Sequence, residues 1–267
     1  MTVNIQWSSD IHLDTCEEST FRQYLSEINP EFDLIISGDI SKSNRIERDI
    51  ERIAHKLGKS HLYFVMGNHD YYGNTINLVR YRMKFFLKSF DNITYLSQND
   101  DTNAPIILGK QWRMIGVDGW ADALAGNYNI APTMLRDYRA IDDFQNKDDD
   151  GRFHLLNTLG QEEAHYLSEK LNTDIEQPNI LIVTHVPPYP EAHMYEGRPA
   201  SNAYLPHFVC VSTGRVITEY AEANPNKQIK VICGHTHHYG RLVVNNVTVE
   251  VSGAEYAKPS IQVLQLD

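Results

Sequence analysis

The apolar positions of the chain follow two rhythms. Short runs rich in β-branched and aromatic residues, Val3 to Trp7, Leu34 to Ile36 and Leu62 to Met66, predict buried strands, and the stretches between them place apolar residues at helical intervals. Ile46, Ile50, Ile53 and Leu57 share one helix face, with Asn44 as the expected N-cap and Glu47 three residues later closing a capping box. Leu78, Val79, Tyr81, Arg82, Phe85 and Phe86 suggest a second helix laid on one sheet face. Strand and helix in this alternation is the rhythm of parallel βαβ units.

From about residue 105 the pattern changes. Ile106 to Leu108 and Trp112 to Val117 flank Gly109-Lys110, a hairpin signal, and a longer helix runs through Ala164, Leu167 and Leu171. Ile180 to Val183 and Ile229 to Cys233 predict further buried strands. Leu242 to Val244, Val247 to Val251 and Ile261 to Leu266 predict an antiparallel finish that turns at Asn245-Asn246. Residues 121 to 151 and 186 to 210 are the least regular: the first holds the acidic run Asp148-Asp149-Asp150, read as a solvated loop, and the second is too rich in proline for helix or central strand. No Pro/Ser-rich linker divides the sequence, and α/β folds run to about 250 residues as one domain, so residues 1–267 are expected to form a single domain.

Charge and cysteine content narrow the function classes. Lys plus Arg is 24 against 35 Asp plus Glu, a net of −11, which argues against a phosphate-backbone footprint on long nucleic acid and against an anionic membrane surface. Cys16, Cys210 and Cys233 are sparse, odd in number and without a C-x-x-C arrangement, so neither a disulfide framework nor a thiolate metal site is expected. With no basic-then-apolar leader and no run approaching ~18 apolar residues, a cytoplasmic location is the expectation. Nothing in the sequence sets an oligomeric state.

The chemistry lies where the strands end. Five apolar runs finish in polar residues of metal-binding type: Asp10-Ile11-His12, Gly38-Asp39, Gly67-Asn68-His69-Asp70, Thr184-His185 and Gly234-His235-Thr236-His237. Ligand sites of α/β sheets lie beyond the carboxyl ends of the strands, so several strand ends can deliver side chains to one place. Carboxylate, amide and imidazole groups without thiolate suit Mn, Fe, Zn or similar divalent ions, and two adjacent ions need a shared ligand to offset their repulsion, for which a carboxylate such as Asp39 is the natural bridge.

Taken together and in order, these motifs resemble the calcineurin-like metallophosphoesterase superfamily, whose pattern is D-x-H, GD, GNH(D/E), H and GHxH; the resemblance spans Asp10 to His237. It implies an α/β fold, a four-layer α/β/β/α sandwich of two mixed sheets flanked by helices. It also implies two divalent metal ions, with Asp10, His12 and His237 on one, Asn68, His185 and His235 on the other, and Asp39 between them. The implied activity is hydrolysis of a phosphate mono- or diester of a small or medium molecule, by attack of a hydroxide bridging the ions. His69 matches the family's catalytic or phosphate-binding histidine. One position departs from the pattern. Many members read GD-x-x-D, and Lys42 stands where that second aspartate would partner the histidine. A lysine cannot accept the imidazole proton. Asp70 is an alternative partner, and Lys42 either faces solvent or reaches the substrate phosphate.

Several further residues are candidates for substrate contact, each against a plainer role. Tyr71 and Tyr72 either line the pocket or pack in the core, and Trp120 is equally a pocket wall or a core residue. Arg136 and Arg139, in a stretch that with Asn202-Ala203-Tyr204 is similar to small single-domain bacterial members, either grip a phosphate bidentately or form surface salt bridges. His193 and His207 lie in the proline-rich loop, where substrate contact competes with a surface position. Two other functions stay open: a non-catalytic interaction platform on the same fold, against which the complete ligand set weighs, and a nuclease acting on short nucleic acid, against which the negative charge weighs.

Overall fold

Alternation within the central strands decides the architecture. Leu34 and Ile36 turn to one side of their strand and pack among helices, while Ile35 turns to the other and packs against a second sheet. Ile180 and Ile182 against Leu181 and Val183 repeat the division in that second sheet. Both sheets are therefore covered on both faces, which explains why their strands read as continuous apolar runs.

The computed structural model describes residues 2–97, 105–130, 135–173 and 177–267. The chain runs β1 (Val3–Ser8), α1 (Glu18–Glu27), β2 (Leu34–Ser37), α2 (Ile46–Leu57), β3 (Leu62–Val65), α3 (Ile76–Leu87), β4 (Ile93–Tyr95), β5 (Ile106–Leu108), β6 (Trp112–Gly116), α4 (Asp137–Ala140), α5 (Asp149–Leu171), β7 (Asn179–Val183), β8 (Met194–Tyr195), β9 (Arg198–Pro199), α6 (Leu205–Phe208), α7 (Val211–Ala223), β10 (Gln228–Cys233), β11 (Gly240–Val244), β12 (Val247–Val251) and β13 (Gln262–Leu266). One sheet has the order β13-β1-β2-β3-β4 and the other β11-β12-β10-β7-β6-β5. Each is parallel inside, with antiparallel strands β13, β11 and β5 at edges. Ile5, Trp7, Val65, Trp112, Val183 and Ile232 fill the space between the sheets. Helices α1 to α3 and the start of α5 cover the first sheet; the end of α5 and α7 cover the second. The result is the four-layer α/β/β/α sandwich. No helix among the described residues is long and apolar enough to cross a membrane.

Four elements differ from their sequence-based expectation. Helix α2 begins at Ile46 without a side-chain cap; the Lys42 carbonyl accepts from the Arg45 and Ile46 N–H groups, and Glu47 binds Arg82 instead of closing a capping box. Helix α3 buries Ile76, Val79, Arg80 and Met83 and leaves Leu78, Tyr81 and Phe85 exposed. The pattern misleads there because Arg80 is an inward-facing charge, paired with Asp118 and Glu163. The run Asp148-Asp149-Asp150 is the start of α5, with the Asp148 side chain accepting from Gly151 N–H at 2.9 Å and the next two aspartates in the first turn, where the helix dipole favours them. Finally, β11 and β12 form the expected hairpin at Asn245-Asn246, but β13 crosses to the other sheet and pairs with β1.

Candidate metal centre

The five motifs all emerge at one edge of the sandwich, from both sheets. Asp10 and His12 follow β1, Asp39 follows β2, Asn68 and His69 follow β3, His185 follows β7, and His235 and His237 follow β10. Sharp backbone turns aim them. Asp10, His12, Asp39, His235 and His237 have φ between 38° and 68°, making up five of the ten non-glycine residues with positive φ among the described residues. Strain of this kind persists only where the surroundings over-determine it. Two backbone bonds tie neighbouring turns together: Asp10 N–H donates to Gly38 C=O and His12 N–H to Asp39 C=O, each at 3.0 Å. The motif glycines are set by close approach. A Cβ on Gly67 would collide with Asp39 Oδ1 and lie 2.7 Å from His185 Nε2, and one on Gly234 would collide with Asp10 Oδ2 and Ser9 Oγ.

Asp39 sits at the centre, and its two oxygens face different partners. Oδ1 lies 3.4 Å from His185 Nε2, whereas Oδ2 lies 3.7 Å from His12 Nε2 and 4.0 Å from His69 Nε2. On one side His12 Nε2 and His237 Nε2 are 3.1 Å apart and His237 Nε2 is 3.4 Å from Asp10 Oδ1, so that donor atoms of Asp10, His12, Asp39 and His237 all lie within 4.8 Å of one another. On the other side His185 Nε2 is 3.1 Å from Asn68 Oδ1, and the His185 and His235 rings meet edge-on at 5.0 Å. Ring orientation is fixed from behind. His185 Nδ1 donates to Ser37 C=O at 2.9 Å, leaving Nε2 for the site, and His235 Nε2 donates to His207 C=O at 3.1 Å, leaving Nδ1.

The electrostatics are those of a cation site. Burial alone would raise the Asp39 carboxyl, but the charges of His185, His69 and His12 hold it well below the usual carboxylate range. Burial likewise works against protonated His185, yet Asp39 and Asp10 outweigh it and push that imidazole up to about 10. His12 and His235, desolvated and beside other histidines, are pushed down to about 4 and about 3. Two carboxylates, four imidazoles and one amide oxygen, with no thiolate, fit divalent ions such as Mn, Fe or Zn.

The remaining sequence candidates separate by position. His69 is at the mouth, its ring stacked on Tyr72 at 4.2 Å and its backbone N–H donating to Asp39 Oδ1 at 2.9 Å. Asp70 is not its partner: it accepts from Ile40, Ser41 and Gly67 N–H and pins the two loops together. Lys42 stands 3.0 Å from Asp14. Tyr71 is fully buried with its hydroxyl on Asp118, and Trp120 packs between Tyr71 and Phe144. Arg136 is exposed, 5.6 Å above the Tyr72 ring, and Arg139 is exposed on α4. His193 and His207 are buried: His193 packs on Phe208, which packs on His235, and His207 bonds Tyr138 through Nδ1 at 2.6 Å. Two neighbours of the site were not read from sequence. Asp137 accepts from Asn68 and Tyr72, and its signal was the same Arg136-to-Arg139 stretch. Tyr256, half-exposed, lays its ring 4.4 Å from His12 and 4.8 Å from His237, and no motif marks it.

Comparison with known proteins places the chain in a family. The model of the calcineurin-like phosphoesterase family matches residues 5–239. The chain belongs to that family. No curated protein sequence matches it. Among solved structures, it is similar to a phosphopantetheinyl hydrolase from Mycobacterium tuberculosis, at TM-score 0.61 and 14% identity over 96% of this chain and 90% of that one. It is also similar to a putative 5'-nucleotidase from Staphylococcus aureus, at TM-score 0.51 and 11% identity over 100% of this chain and 51% of that one. At these identities the likeness concerns the fold. As a family member, the chain is a metal-dependent phosphoesterase.

Proposed function

We propose that this phosphoesterase holds two divalent ions, one by Asp10, His12 and His237 and the other by Asn68, His185 and His235, with Asp39 shared, and that it hydrolyses a phosphate mono- or diester of a small or medium molecule. The observation that carries this reading is the Asp39 carboxylate, whose Oδ1 faces His185 and whose Oδ2 faces His12. When bound, such a pair of ions neutralises charge on phosphoryl oxygens and supplies an activated water at neutral pH. The chain's own residues do the rest. His69, half-buried at the mouth and steadied by Tyr72, is placed to hold a phosphoryl oxygen or to give a proton to the leaving oxygen. Arg136, exposed above Tyr72, is the nearby cation for an incoming phosphate.

A hydrolysis panel tests the reading: metal-replete protein with mono- and diester chromogenic substrates, then with nucleotides and sugar phosphates. Wild type should turn over at least one class, and Asp39→Asn or His235→Ala should lose about 100-fold or more while circular dichroism stays native. Turnover near wild-type level in both variants would exclude the assignment, and absence of hydrolysis across the panel would favour an interaction platform.

A further inference from the structure

Helix α4 comes from the irregular segment between β6 and α5, yet it bonds one side chain of the candidate centre directly and approaches a second through His207. An asparagine amide offers a cation only its oxygen, so its orientation has to be fixed. Asp137, on α4, does this for Asn68: its Oδ1 accepts from Asn68 Nδ2 at 2.9 Å, which leaves Asn68 Oδ1 on the opposite side, 3.1 Å from His185 Nε2. A reversed amide would set oxygen against carboxylate. Both residues are buried, so water does not offer a ready replacement partner. The next residue of the same helix acts at one remove on His235. Tyr138 OH is 2.6 Å from His207 Nδ1, and the His207 carbonyl accepts the His235 Nε2 proton. Both contacts fall on the Asn68, His185 and His235 side. The bonds seen for Asp10, His12 and His237 run among themselves and to residues outside α4.

We infer that Asp137 is a positioning residue that turns the Asn68 oxygen toward one ion and so sets the affinity of that ion alone. The inference rests on the two-ion reading above. Outer partners of metal ligands act in this way, typically at 10- to 100-fold in affinity.

Calorimetric titration of the metal-free chain with Mn(II) tests it, with circular dichroism as the check on folding. Wild type should take up two ions; uptake of fewer overturns the two-ion reading itself and the inference with it. Given two, Asp137→Ala should weaken one step about 10- to 100-fold and leave the other unchanged. The weakened step should be the one that Asn68→Ala also weakens. Adding Asp137→Ala to Asn68→Ala should change nothing further, because the carboxylate acts through that amide. Asp137→Asn, which keeps an acceptor oxygen, should be milder than Asp137→Ala and serves if the alanine variant fails to fold. Two unchanged steps in Asp137→Ala, equal weakening of both, or additive losses in the double variant would each overturn the inference.

Discussion

At the scale of single residues, His69 separates proton work from metal work. Its imidazole lies 4.0 Å from Asp39 Oδ2, and it is not counted among the seven proposed ligands. We therefore expect His69→Asn to bind ions as wild type does and to keep some turnover. If the imidazole protonates the leaving oxygen, the loss should grow with leaving-group pKa, toward about 10²- to 10⁴-fold for alkoxides. Rates across an ester series decide it: a flat ratio would assign His69 to phosphate binding alone. The sequence raised this question through Lys42, and the structure answers half of it, since Lys42 is held by Asp14 and Asp70 by three backbone N–H groups. Gly67 gives a second prediction. With any Cβ colliding with Asp39, Gly67→Ala should displace that carboxylate and abolish hydrolysis, with a smaller effect on thermal stability. Activity within about threefold of wild type would show that the loop gives way. All seven ligand candidates were legible in the sequence because each is tied to a local motif. Asp137 and Tyr256 were not, since their contacts with the site form only once distant segments meet.

At the scale of elements, the buried cluster joining α3, α5 and the end of β6 explains both a misreading and a pH effect. Asp118 accepts from the Tyr71 and Tyr95 hydroxyls, from Met66 N–H and from Arg80, whereas Glu163 shares that same arginine and has in addition the Gly119 backbone N–H and, at 3.5 Å, the Ser97 hydroxyl. One cation serves two carboxylates. Burial, only partly offset by Arg80, pushes Glu163 up to about 7. A raised acid binds its proton more tightly in the folded chain than in the unfolded one, so the contribution of Glu163 to stability should fall as pH rises from about 4.5 through 7, by on the order of 1–3 kcal/mol, against the opposite contribution of the lowered histidines His12 and His235. Glu163→Gln, which mimics the protonated form, should flatten that decline in urea titrations at pH 5 and pH 8; an unchanged slope would place the proton elsewhere. Apolar periodicity assumes that charge faces water, and Arg80 breaks the assumption, which is why the exposed face of α3 was misassigned. The acidic start of α5 misled for a related reason: aspartates suit a helix N-terminus as well as a loop.

At the scale of the whole molecule, the proposed ligands come from strands of both sheets, β1, β2 and β3 on one side and β7 and β10 on the other. Legibility stops short of this level. Local patterns foretold most strands, but not that β13 returns to β1, because an apolar alternation does not say which sheet it will join. The consequence for stability is that bound ions would link the two sheets at one edge, while the core between them, from Ile5 to Leu266, is apolar and independent of metal. Chelation should therefore leave the secondary structure intact and lower the melting temperature. For ions at about 100 times their dissociation constant, linkage supplies about 2.7 kcal/mol per site, or roughly 5–10 °C in a chain of this size. Asp39→Asn should lose most of that increment if its carboxylate is shared as proposed, whereas His69→Asn should keep it. Differential scanning calorimetry with and without Mn(II), paired with elemental analysis, measures both quantities. A melting temperature indifferent to metal in wild type, or an Asp39→Asn variant that gains as much as wild type, would mean that Asp39 bridges nothing and that the two halves do not act as one centre.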